Sequence, residues 1–147
     1  MDASQLKRIP IFADVPDEDL SVITTFATTE EVPEGKTIVR EGDYANAFMA
    51  IEEGSARVTR DGQEVGQLGQ GDIFGEIGVI EKEKRTASVE ATSRVRLIKI
   101  EHWELNRMKK KLPDVYEKIA NLAAEREAGS SNDYASPVHW RSSRRLF

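Results

Sequence analysis

At 147 residues, with a net charge of −5 and no cysteine, the chain suits one ordinary core and excludes disulfides, thiolate metal sites and cysteine nucleophiles. Hydrophobic content of 39% and charged content of 32% predict a folded core under a densely charged surface rather than a disordered chain. No apolar run reaches bilayer-spanning length, the N-terminus lacks an apolar signal core, and the acidic balance argues against general nucleic-acid binding. The expectation is a cytoplasmic protein with neither membrane nor nucleic acid as partner.

In chain order, Asp2 to Leu6 starts a short helix capped by Asp2 or Ser4, and Pro10-Ile11-Phe12 breaks it. Pro16-Asp17-Glu18-Asp19 opens a second helix through Phe26, with acids in its first turn and Leu20, Ile23 and Phe26 on one face. From Thr28 to Ile100 short β-like runs alternate with turn residues. Strands are predicted at 37–40, 48–52, 56–60, 64–68, 86–91 and 95–100, punctuated by Gly35, Gly42-Asp43, Gly54 and the 69–72 turn. Asp61-Gly62 is the clearest hairpin. Helices return over 102–111 and from Pro113 to about Glu127, the latter with Val115, Ile119, Leu122 and Ala123 on one face. Strands at this spacing between helical ends predict an α+β chain: an antiparallel β-sandwich or jelly roll (a β-roll) flanked by N-terminal and C-terminal helices. The domain is expected over 1–128, with 129–147 as a linker and tail.

The chemistry concentrates in Phe74 to Val89, FGEIGVIEKEKRTASV. Gly75 allows close backbone approach. Glu76-Ile77-Gly78 opens a short helical turn whose free N–H groups favour a phosphate. Arg85 supplies a planar fork that grips two phosphate oxygens at once. Glu76 would repel that phosphate, so it serves another part of the ligand; a carboxylate accepts hydrogen bonds from the hydroxyls of a sugar. Val65 and the Ile77–Val79 neighbourhood are either an apolar shelf for a base or ordinary core. Thr86 and Ser88 are β-compatible residues suited to packing or to hydrogen bonding within the sheet.

This stretch resembles the phosphate-binding cassette of cyclic nucleotide-binding domains, whose pattern runs Phe-Gly-Glu-Leu-Ala-Leu, a loop, then Arg-(Ala or Thr)-Ala-(Ser or Thr)-Val. Phe74, Gly75, Glu76, Arg85, Thr86, Ala87, Ser88 and Val89 match it, while Gly78 stands where Ala is usual and Lys84 where Pro often precedes the arginine. The likeness extends over about Leu6 to Glu127. It implies a β-roll and a non-catalytic sensor of cAMP or cGMP, with no further cofactor. Phe74, Gly75, Glu76, Ile77, Gly78, Arg85, Thr86, Ala87 and Val65 would surround the ligand, with Glu76 accepting the ribose 2′-OH. Thr86, following the arginine, is compatible with either base, and cAMP is slightly favoured over cGMP. The resemblance also implies that the terminal helix swings over the site, with Tyr116, Leu122 and Arg126 as candidate caps, and either pairs with a second subunit or works in a monomer.

An enzyme of similar shape would need metal-binding histidines on strands, and the chain has only His102 and His139. A transcription factor would need a helix-turn-helix after the long helix. The tail SNDYASPVHWRSSRRLF holds three arginines with Tyr134, Trp140 and Phe147. It is either a flexible or appended peptide, or a docking peptide suited to an acidic surface. The alternative to the sensor is therefore a module of the same fold that binds a peptide or effector protein and no longer depends on nucleotide.

Overall fold

The computed structural model describes residues 1–44, 47–74, 85 and 87–128, the last seven through the backbone alone. Two N-terminal helices, α1 (Ala3–Leu6) and α2 (Asp17–Ile23), flank a 3-10 turn at Pro10–Phe12. The strands are β1 (Ala27–Val32), β2 (Thr37–Val39), β3 (Ala47–Glu53), β4 (Ala56–Arg60), β5 (Gln63–Leu68), β6 (Ile73–Phe74), β7 (Ser88–Ala91) and β8 (Val95–Glu101). Helices α3 (His102–Lys111) and α4 (Pro113–Ala128) follow. Among the described residues these strands form two antiparallel sheets, ordered β1-β8-β3-β6 and β2-β7-β4-β5. That is the β-sandwich with helices at both ends of the chain that the strand spacing predicts.

The first sheet is covered on both faces, and β3 shows it. Its residues from Ala47 to Glu52 are all buried, as expected of a strand with no solvent face. Ala47, Met49 and Ile51 point between the sheets among Val58, Phe74, Val89 and Leu97. Phe48 and Ala50 point the other way, into a second core with Leu6, Phe12, Leu20, Ile23, Met108, Val115 and Ile119 from the helices. Phe12 meets Phe48 edge-on, with centroids 6.2 Å apart, worth about 0.5–1.5 kcal/mol beyond area burial.

Several boundaries differ from those the sequence predicts. Helix α2 stops at Ile23 rather than Phe26, because the Thr24 and Thr25 hydroxyls turn back onto the Ser21 and Val22 carbonyls at 2.6 Å. Strand β1 was not expected, since ATTEEV buries only its two ends. It is an edge strand whose acids are answered by β8 and the residue just before it: Glu30 meets Lys99 at 3.2 Å, and Glu31 pairs with Arg94 and Arg96. Arg94 above all holds the Glu31 carboxyl below its ordinary range.

The C-terminal helix is anchored near its start. Val115 and Ile119 join the helical core, each contributing about 1.5–3 kcal/mol relative to exposure. Lys118 donates to Asp14 at 2.6 Å across the surface. No helix among the described residues is long and apolar enough to cross a membrane.

Candidate functional site

Arg85 lies just ahead of β7 and is only 5% exposed. Backbone hydrogen bonds help fix its place: its N–H donates to the Asp43 carbonyl at 2.7 Å, and its own carbonyl accepts the Gly42 N–H at 3.0 Å. Its Nη2 donates to the Ala47 carbonyl at 2.8 Å. The partner turn, Arg40 to Tyr44, needs a residue with φ of +89° at position 42, a conformation that glycine adopts without penalty. The Gly42-Asp43 punctuation read from the sequence is therefore the seat of the arginine as well as a strand boundary.

Beside Arg85 opens a cleft of about 200 Å³. Thr37, Val39, Arg40, Asp43 and Tyr44 line one side, with Met49 and Lys99 on the other. Among the described lining residues, Arg40, Lys99 and Arg85 outnumber Asp43, a balance that suits an anion even though the chain as a whole is acidic. Lys99 is 23% exposed and balanced at its outer end by Glu30.

The remaining predicted ligand residues fall into three groups. Phe74 and Ala87 are fully buried in the inter-sheet core, and Val65 packs half-buried against that core. None of these three lines the cleft beside Arg85. Gly75, Glu76, Ile77, Gly78 and Thr86 lie outside the described residues. The carbonyl of Ala47 escaped sequence reasoning because any residue type supplies one.

A second charged cluster occupies the far end of β3. Glu52, 1% exposed, accepts from Gln5 Nε2 at 2.9 and 3.2 Å and meets Arg96 at 3.4 Å. Arg96 also reaches Glu53 and Glu31, and its guanidinium is held still more firmly protonated, chiefly by the Glu52 hydrogen bond. The same Gln5 closes the capping box of α1 by accepting the Asp2 N–H at 2.7 Å. Here each charge already has a partner from the chain, and the neighbouring cleft of about 380 Å³, lined by Glu31, Glu53, Arg94 and Arg96, is a structural junction. Glu52 was expected only as the last residue of a strand.

The sandwich and its helical cover define a β-roll, with Arg85 seated at one end of it. The cyclic nucleotide-binding domain model matches residues 29–111, more than half of the chain. The chain belongs to the cyclic nucleotide-binding domain family. It is 29% identical over 137 residues to the cAMP-dependent protein kinase regulatory subunit of Schizosaccharomyces pombe, covering 91% of this chain and 33% of the relative. Among solved structures it resembles the catabolite activator protein of Thermus thermophilus, with a TM-score of 0.75 at 26% identity over 86% of this chain and 62% of the other. The regulatory domain of Toxoplasma gondii PKA with cAMP gives 0.70 at 30% identity, over 84% of this chain and 48% of the other. The chain spans about a third of the length of the first curated relatives it matches.

Proposed function

We propose that the domain is a non-catalytic sensor that captures a cyclic purine nucleotide, with cAMP slightly favoured over cGMP. The observation that carries this reading is Arg85: nearly buried, main-chain anchored and bordering a cationic cleft, inside a segment matched by the family model. In this reading the cyclic phosphate seats on the Arg85 guanidinium and on N–H groups near Ile77 and Gly78. The ribose 2′-OH donates to Glu76, and the purine rests on apolar side chains. No bond is made or broken. Relatives named for cAMP support the choice of ligand class.

Occupancy is relayed by α4, whose attachment to the helical core runs through Val115, Ile119 and the Asp14–Lys118 pair. A ligand moves such a helix only by binding one of its positions more tightly, and a clean switch needs a difference of several kcal/mol. The helix presents its altered position to an effector protein, either from a monomer or through a homodimer formed along α4.

Calorimetric titration with cAMP, cGMP and 2′-deoxy-cAMP tests the reading. One saturable site is expected for the ribonucleotides. The deoxy analogue should bind about tenfold or more weakly, because it leaves a desolvated carboxylate without its hydroxyl. Equal binding of the ribo and deoxy forms removes the role of Glu76. No binding of any of them leaves the peptide-binding scaffold as the surviving interpretation.

A further inference from the structure

We propose that Ser88 is a positioning residue for the anion grip: its hydroxyl clamps the Arg40–Tyr44 turn, and that turn holds Arg85. This rests on the reading of Arg85 as the phosphate ligand. Strands β2 and β7 pair at Val39 and Val89, where the register is already shifted. Beyond that point the ladder is not carried by carbonyls alone. The Glu41 N–H donates to Ser88 Oγ at 2.9 Å, and backbone pairing then resumes between Gly42-Asp43 and Arg85. The serine hydroxyl therefore bridges the irregular step between a regular ladder and the functional arginine.

The same turn is tied in a second direction. Glu41 Oε1 accepts the N–H of Asp61 at 3.1 Å, at the tip of the β4–β5 hairpin, where Asp61 has φ of +53°. Ser88 itself stands opposite Thr59 on β4. Turn, hairpin and β7 thus form one frame, and Ser88 is its link to the turn through a side chain. Glu41 is exposed, so water can take over its N–H if the hydroxyl is lost. The consequence is loosened geometry at Arg85 more than a loss of global stability. A hydroxyl at this position is legible in the sequence, but its acceptor role is not, because its donor is a main-chain amide 47 residues away.

Hydrogen exchange on the ligand-free protein supplies the first arm of the test. Ser88→Ala should speed exchange of the Gly42 and Arg85 amides by about tenfold, leaving those of β3 and β8 unchanged, and Ser88→Thr should restore protection. Ser88→Val keeps the β preference without the hydroxyl and should match the alanine variant if that one loses the strand. Unchanged exchange at Gly42 and Arg85 overturns the proposal, whatever the protein binds. In the second arm, Ser88→Ala should weaken cAMP binding by about five- to tenfold in the Arg85 protein and by less than twofold in an Arg85→Ala background. Equal losses in both backgrounds mean that Ser88 does not act through Arg85. Absence of cAMP and cGMP binding in the unaltered protein defeats the nucleotide reading alone, and the exchange arm still decides whether Ser88 holds the turn.

Discussion

The two ends of strand β3 each receive a buried charge, through partners of different kinds among the described contacts. At its sixth residue, Glu52 is answered by side chains from α1 and β8, one of them an arginine. At its first residue, the Ala47 carbonyl receives the guanidinium of Arg85, whose main chain is pinned by Gly42 and Asp43. The two sites lie about 16 Å apart along the strand at roughly 3.3 Å per residue. A charge neutralised by the chain's own opposite charge staples elements together. A charge whose guanidinium and backbone meet main-chain groups is oriented by the local chain geometry. The Glu52 cluster and the candidate site at Arg85 thus lie at separate ends of one strand.

That separation can be broken most severely at Gly54, on the Glu52 side. A Cβ there would sit 2.3 Å from the Arg94 carbonyl, and φ is +103°. Gly54→Ala should cost about 3 kcal/mol or more, read by urea denaturation. Next comes Glu52→Ala, which strips Gln5 and Arg96 of their buried partner. Breaking a buried pair costs about 3–5 kcal/mol, and this one should fall at the low end because Arg96 keeps Glu53 and Glu31. In both variants, the fraction that remains folded should bind cyclic nucleotide within twofold of the parent. A tenfold loss would show that the two ends are coupled.

A smaller effect sharpens the account of α4. The Asp14 carboxyl is held below its ordinary value of 3.8, first by the hydrogen bond from Lys118 and then by its charge. A lowered folded value means that the folded state binds fewer protons, so the pair stabilises the fold above the ordinary value and that contribution fades as pH falls through the depressed one. Asp14→Asn should therefore lower the melting temperature slightly at pH 6, and the difference from the parent should shrink as pH falls below the ordinary carboxyl value of 3.8. A difference that persists at low pH would assign the effect to packing. Both side chains are substantially exposed, so added salt should also shrink it.

Much of this was legible in the sequence. Asp61-Gly62 predicts the hairpin and occupies it with two positive φ values, since the turn chemistry is local. The helical faces of Leu20 and Ile23, and of Val115 and Ile119, follow the 3.6-residue period into the core. Arg85 stood out because its flanking residues fix a pattern. What did not show is what depends on partners distant in sequence. Strand β1 reads as polar because its glutamates meet Arg94, Arg96 and Lys99 only after folding. Glu52 reads as a strand end because Gln5, 47 positions away, makes its burial tolerable. The described hydrogen bonds of Arg85 go to main-chain groups, and backbone acceptors leave no mark in residue type.

The most direct test of the nucleotide reading compares the parent and Arg85→Ala by calorimetry with cAMP. A single site in the parent, weakened about ten- to a hundredfold in the variant, matches the roughly 1.5–3 kcal/mol of a charge-assisted bidentate contact. A folded variant that binds as tightly as the parent would mean that the guanidinium at 85 never touches the phosphate.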